Sequence, residues 1–221
     1  MARSTRDKNN PVSIEKRYSE FETLHRNLKK SYPDVMQDVS FPRKQLSGNF
    51  SAKTIAERSR AFELYLCHLV MNHEVRMSHP FAPFFYEKEW QNACELFQSN
   101  RYEAAIVILR RVLDIQRKLL TDIHASTIHT LCLIAVCYMR CRNELQCYLS
   151  SRIAIKSIHT DDSSEYLRPL LECSIRMAWS LGFEKQDLEE RLSALNKSRH
   201  QQQCLEELVV KLVDSALQPG S

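Results

Sequence analysis

The sequence contains very little glycine and has no long apolar run. Only 3 of its 221 residues are glycine, so the glycine-rich loops that hold nucleotide phosphates are absent, and we expect no cofactor. No apolar stretch approaches the roughly 20 residues of a membrane-spanning helix, and no secretory signal pattern opens the chain. We therefore predict a soluble, cytosolic protein that could contact a membrane only peripherally.

Motifs for metal binding and catalysis are also missing. The chain has eight cysteines but no C-x-x-C pair, and we expect reduced cysteines buried as small apolar side chains. A zinc site could be imagined from His129, Cys137 and Cys141, but their spacing matches no common structural site. No Ser/His/Asp or Cys/His arrangement appears in a catalytic motif. The sequence predicts neither a metal site nor an enzyme.

Positive charge is concentrated at the start of the chain. Residues 1–60 carry 13 Lys and Arg against 7 Asp and Glu, whereas the remainder carries 18 against 20. Such a segment suits an anionic surface, which could be a membrane, nucleic acid or an acidic peptide. Because aromatic residues are not interleaved with the basic cluster, we do not expect nucleic-acid binding. A merely solvated basic face is the alternative.

Apolar periodicity and breakers predict the elements of the first 84 residues. We expect a short strand over residues 12–21, a helix over 21–32 and a longer amphipathic helix over 54–70. Prolines at positions 80 and 83 interrupt the pattern and indicate a boundary there.

Helices dominate the pattern from residue 85 onward. Three predicted pairs cover 90–98 with 102–120, 127–141 with 144–157, and 166–181 with 186–195. Leu96, Tyr138 and Leu181 occupy similar places in the first helix of each pair, and this recurrence is typical of a helical-repeat array. An irregular bundle is the alternative. A last helix, a candidate cap of the array, is predicted over 205–217.

One set of residues could bind a phosphorylated ring. Arg17, Tyr18 and Ser19 lie in the run RYSEF, Lys44 follows in FPRK, and Arg58 opens the predicted long helix. Arginine grips phosphate with paired hydrogen bonds, lysine acts as a point charge, and a tyrosine ring offers a flat surface. Each cation alone could equally be a solvated surface residue, so the hypothesis rests on their order and spacing.

These runs, together with IAERSRAF at residues 55–62, resemble the phox-homology (PX) domain of the sorting nexins. NRYEAAI at residues 100–106 resembles a tetratricopeptide-like module that follows the PX domain in some of them. The resemblance implies a mostly α protein, α+β overall. Its expected parts are a disordered leader over 1–11, a partial PX domain over 12–84, a tetratricopeptide-like repeat domain over 85–197, and a C-terminal helix and tail over 198–221.

The resemblance also implies a ligand, phosphatidylinositol 3-phosphate, and a role for each residue. Arg17 would bind the 3-phosphate with help from Ser19, and Tyr18 would lie under the inositol ring. Lys44 would bind the 1-phosphate, and Arg58 would bind the 4- and 5-hydroxyls. The implied protein is a peripheral adaptor on the cytosolic face of early endosomes, with a protein cargo or adaptor bound by the helical repeats.

The sequence departs from the family pattern at its beginning. A PX domain opens with a three-stranded sheet, and only 16 residues precede Arg17. We therefore expect an N-terminally truncated domain in which residues 12–21 are a remnant strand. This leaves open a second function, a helical-repeat interaction scaffold whose truncated PX domain no longer binds lipid.

Overall fold

The structure, a computed structural model, describes residues 14–42, 52–158, 163–195 and 203–218. These residues are mostly helical, and none of the four ranges contains a strand. The chain divides between Phe85 and Tyr86 into two compact units. The helices are α1 (Tyr18–Ser31), α2 (Pro33–Met36), α3 (Ala52–Met71), α4 (His73–Arg76), α5 (Glu87–Gln98), α6 (Tyr102–Leu119), α7 (Ala125–Arg140), α8 (Glu144–Ser157), α9 (Leu167–Leu181), α10 (Gln186–Leu195) and α11 (Leu205–Leu217), with a 3-10 turn at Pro83–Phe85.

The core of the N-terminal unit forms where the apolar faces of α1 and α3 meet. Each helix buries residues at positions i, i+3 and i+7, the spacing that places side chains on one face. The buried residues are Phe21, Leu24 and Leu28 on α1, and Phe62, Tyr65 and Leu69 on α3. The rings of Phe21 and Phe62 stack with their centroids 3.9 Å apart. The long helix predicted over 54–70 is therefore present.

The remnant strand predicted over 12–21 is not confirmed. Residues 14–17 are not in a strand, and α1 already begins at Tyr18, so the prediction is wrong for the second half of that segment. A helix forms there because the Glu20 carboxylate accepts a hydrogen bond from the Arg17 N–H at 2.6 Å, which is half of a capping box. Residues 12 and 13, and the leader predicted over 1–11, lie outside the described residues.

The C-terminal unit consists of helices in which each packs on the next along the chain. The contacts run from α5 to α6, α7, α8, α9 and α10 in order, and short turns join α5 to α6, α7 to α8, and α9 to α10. One continuous apolar core runs through the unit. Helix α11 departs from this order, because it packs back chiefly on α5 and α7 and to a smaller extent on α9.

The three intrapair turns share one backbone conformation. Asn100, Arg142 and Gly182 have φ of 59°, 55° and 69°, and they are the residues with positive φ among the described parts of the chain. In each turn the next residue donates its N–H to a carbonyl five positions earlier, at 2.8 to 2.9 Å. This is the Schellman motif that ends helices. All three helix pairs are therefore closed by the same kind of turn.

The turns also define which residues correspond between the pairs. The accepting carbonyls belong to Leu96, Tyr138 and Ala178. Leu96 and Tyr138 are the residues that the sequence pattern placed in correspondence. In the third pair the pattern indicated Leu181, which lies three residues after Ala178. The apolar stripe of α9 does not reveal the difference, because residues three apart lie on the same face of a helix.

The left-handed turn residues predict opposite effects for two substitutions. We expect Gly182→Ala to lower the free energy of unfolding of the C-terminal unit by about 1–2 kcal/mol, because a side chain is disfavoured in the left-handed region. A Cβ there would meet nothing within 4 Å, so the effect is conformational. Arg142→Gly should stabilise the unit by up to about 1 kcal/mol by removing the same strain.

Chemical denaturation followed by tryptophan fluorescence measures both effects, since Trp90 and Trp179 lie in the C-terminal unit. Ser193→Ala, at an exposed position of α10, is the control for a change in an ordinary helical conformation. A Gly182→Ala protein as stable as the wild type would contradict the left-handed turn.

Candidate functional site

The first candidate residue, Arg17, immediately precedes helix α1. It is the N-cap residue with an extended backbone (φ −78°, ψ 155°), and both it and Ser19 are exposed to solvent. The first N–H groups of a helix have no partner within the helix, and the helix dipole adds partial positive charge there. An anion at this end would meet the Arg17 guanidinium together with the end of a 14-residue helix.

Tyr18 is held in place by contacts to two other segments. Its hydroxyl donates a hydrogen bond to the Pro42 carbonyl at 3.0 Å. The rings of Phe41 and Phe62 each lie edge-on to the Tyr18 ring, with centroids 5.7 Å away. The tyrosine ring is therefore a half-buried, fixed surface and not a mobile side chain.

Helix α3 brings Arg58 to this ring. The guanidinium carbon lies 5.9 Å from the centroid of the Tyr18 ring, within reach of a cation–π interaction. Burial, together with the charge of Glu22, raises the pKa of the Tyr18 hydroxyl, against the opposing effect of Arg58. The hydroxyl therefore stays protonated at neutral pH, as its hydrogen bond to Pro42 requires.

The structure thus brings together two of the five predicted binding residues from different helices, Tyr18 and Arg58. Arg17 and Tyr18 stand side by side at the start of α1, and Arg58 reaches the ring of Tyr18 from α3. Ser19 is exposed on the first turn of α1. Lys44 lies outside the described residues.

Sequence reasoning missed the residues that support this site. Phe41 and Phe62 hold the tyrosine ring, and Lys16 lies beside it in the chain with only 6% of its side chain exposed. The Lys16 Nζ is 4.0 Å from Glu20 Oε1 and 5.3 Å from the centroid of the Phe84 ring. The start of α1 could have been predicted from the sequence, since an acidic residue three positions after Arg17 is typical of a helix start.

A histidine adjoins the aromatic cluster around Tyr18. The Nδ1 of His25 is 3.1 Å from the Tyr65 hydroxyl, and its ring centroid is 4.7 Å from that of Phe41. Burial and, to a lesser extent, the charge of Lys29 lower the pKa of His25. The folded unit therefore favours the neutral imidazole.

Most of the cysteines are buried, whereas Cys67 and Cys204 are exposed. Cys94, Cys132, Cys137, Cys147 and Cys173 are buried, and burial raises the pKa of the Cys94 and Cys137 thiols to about 12. Within the described ranges, no group of three or more His, Cys, Asp or Glu side chains could hold a metal ion.

The class of the protein follows from its similarity to a domain family. The PX domain model matches residues 4–88, a segment that contains α1, α3 and the residues described above. The chain therefore carries a PX domain.

Two relatives that match most of the chain give a closer placement. The chain is 34% identical to sorting nexin-20 of Rattus norvegicus over 200 residues, which is 90% of this chain and 64% of that protein. It is 35% identical to sorting nexin-21 of Mus musculus over 189 residues, 85% of this chain and 52% of that protein. The resemblance predicted from the sequence is confirmed: this is a PX-domain protein homologous to sorting nexins 20 and 21.

The match covers only part of each relative. The chain spans less than two thirds of the length of sorting nexin-20 and about half of sorting nexin-21. No solved structure matches the chain significantly. In the parts of the chain that the structure describes, no helix is both long enough and apolar enough to cross a membrane.

The environment of His25 predicts a dependence on pH. Its pKa is lower in the folded state than the usual 6.5, so its contribution to stability is present above about pH 6.5 and is lost as the pH falls through the folded pKa. We expect NMR titration of the His25 ring to give a midpoint below 6.5. Lys29→Gln should raise that midpoint, and a wild-type midpoint at or above 6.5 would contradict the buried, neutral ring.

Proposed function

We propose that this protein is a phosphoinositide-binding adaptor of the sorting nexin type, which recognises phosphatidylinositol 3-phosphate on the cytosolic face of early endosomes. The observation that carries the proposal is the contact of Arg58 with the Tyr18 ring, with Arg17 next to Tyr18 in the chain, within the segment matched by the PX model. The names of the relatives and the domain family support a role in membrane trafficking.

The proposed roles are those that the family resemblance implies, and the start of α1 is compatible with them. Arg17 binds the 3-phosphate through charge-assisted hydrogen bonds, and the exposed Ser19 hydroxyl assists it from the first turn. The helix N-terminus adds favourable electrostatics for the same phosphate. Tyr18 supports the inositol ring, Arg58 binds the 4- and 5-hydroxyls, and Lys44 binds the 1-phosphate.

We assign the helical unit to protein recognition. Three helix pairs with the same Schellman turn support a tetratricopeptide-like repeat domain. Stacked helix pairs of this kind offer extended surfaces to peptides and proteins, which suits the recruitment of a cargo or adaptor. The proposed function includes no enzymatic activity and no nucleic-acid binding.

A second function is favoured by a specific observation. The Tyr18 ring is already packed by Phe41 and Phe62, and residues 14–42 and 52–85 contain no strand to buttress the lipid site. The alternative is a helical-repeat scaffold whose PX segment does not bind lipid.

Liposome co-sedimentation distinguishes the two functions. We expect more of the wild-type protein to pellet with vesicles containing phosphatidylinositol 3-phosphate than with control vesicles. In the control vesicles, phosphatidylserine supplies the same net charge. Arg17→Ala should weaken the specific binding roughly tenfold or more, because hydrogen bonds to charged groups contribute about 1.5–3 kcal/mol each.

Arg26→Ala is the matched control, since it removes one positive charge from an exposed position on the same helix. It should lower binding to both kinds of vesicle slightly and equally. Equal pelleting of the wild type on both vesicles would reject the lipid-specific function and support the scaffold.

A further inference from the structure

Helix α11 lies across the repeats and does not extend them. Its contacts are chiefly with α5 and α7 and, to a smaller extent, with α9. These are the first helices of the three pairs, so α11 covers a surface that the pairs build together. Every other helix of the unit packs on its neighbour along the chain.

The contact is an amphipathic helix on an apolar surface. Helix α11 buries Leu205, Leu208, Val209 and Val213 in the core shared with α5 to α9. The spacing i, i+3, i+4 and i+8 places all four on one face. This is the pattern by which a helix binds in a groove of another protein.

Two polar contacts orient α11 on this surface. Glu206 in its first turn forms an ion pair with Arg140 at the end of α7. Asp214 in its last turn accepts a hydrogen bond from Gln98 Nε2 at the end of α5, at 3.0 Å. An acidic residue near each end of α11 therefore contacts this surface, and the two contacts set the direction of the helix.

Helix α11 lies outside the order in which the other helices of the unit pack. The burial of its four apolar side chains contributes less free energy than the entropy lost in ordering its 13 residues. Elements with few buried contacts open locally without global unfolding. The pairs α5–α6, α7–α8 and α9–α10 keep their mutual contacts without it.

We propose that the face formed by α5, α7 and α9 is a helix-binding site, and that α11 is its resident intramolecular occupant. The partner is an acidic amphipathic helix with the same apolar spacing, which binds by displacing α11. This rests on the proposed function only in assigning protein recognition to the helical unit, and lipid binding plays no part in it. Because α11 is tethered at a high effective concentration, it lowers the apparent affinity for any competitor.

The test uses the full chain and a fluorescent peptide of residues 203–218 carrying Cys204→Ser, which keeps a good N-cap residue. Leu208→Ala/Val209→Ala weakens the resident helix in the intact protein. We expect the peptide to bind this variant at least tenfold more tightly than the wild type, as measured by fluorescence anisotropy without membranes. Val210→Ala is the control, because that side chain is exposed on the same helix and should leave the affinity unchanged.

A charge reversal at the pair formed by Arg140 and Glu206 tests the orientation of the bound helix. The chain with Arg140→Glu should bind a peptide carrying Glu206→Arg at least fivefold more tightly than the unreversed peptide, and the chain with native Arg140 should show the opposite preference. No preference in either chain would overturn the proposed orientation.

Amide hydrogen exchange distinguishes an occupant from a structural part of the core. In the Leu208→Ala/Val209→Ala variant, α11 should lose protection while α7 and α8 retain theirs. Loss of protection in all three helices would show that α11 unfolds together with α7 and α8 as one cooperative unit. In the anisotropy experiment, equal peptide affinity for the wild type and the variant would show that the face is not a binding site. Either result overturns the proposal, and neither depends on whether the protein binds phosphoinositide.

Discussion

The ring of Phe62 is the contact on which the N-terminal unit depends. It stacks on Phe21 of α1 and meets the edges of Tyr18 and Phe41. Aromatic pairs contribute beyond the area they bury, and one ring that shares three such contacts links α1, α3 and the segment after α2. Tyr18 and Arg58 owe their proximity to this packing, since the first is on α1 and the second on α3.

The C-terminal unit rests on a different constraint, the left-handed turn that closes each helix pair. The turn reverses the chain after α5, α7 and α9 in the same way. Identical reversals place the first helices of successive pairs so that a single helix can lie against them. The surface occupied by α11 is thus a consequence of the repeated turns.

An element can be predicted when the residues that determine it lie close together in the sequence. The long helix around Phe62 and the helix pairs were predicted, because an apolar stripe with period 3.6 is a local property of the sequence. The strand predicted over 12–21 is not found over residues 14–21, where the Glu20 carboxylate and the stripe from Phe21 to Leu28 favour a helix from Tyr18 onward. Residues that support the site, such as Phe41 and Lys16, were not predictable, since their roles come from contacts with segments distant in sequence.

The sequence alone was sufficient for the family, the helical character and the identity of the basic and aromatic residues that could bind a phosphorylated ring. These depend on residue types and short-range spacing. Only the tertiary structure decided that Arg58 meets the Tyr18 ring, that the third repeat is aligned on Ala178, and that α11 folds back onto α5 and α7. Such relations depend on which apolar faces bury one another, and many pairings of faces are compatible with the same local pattern.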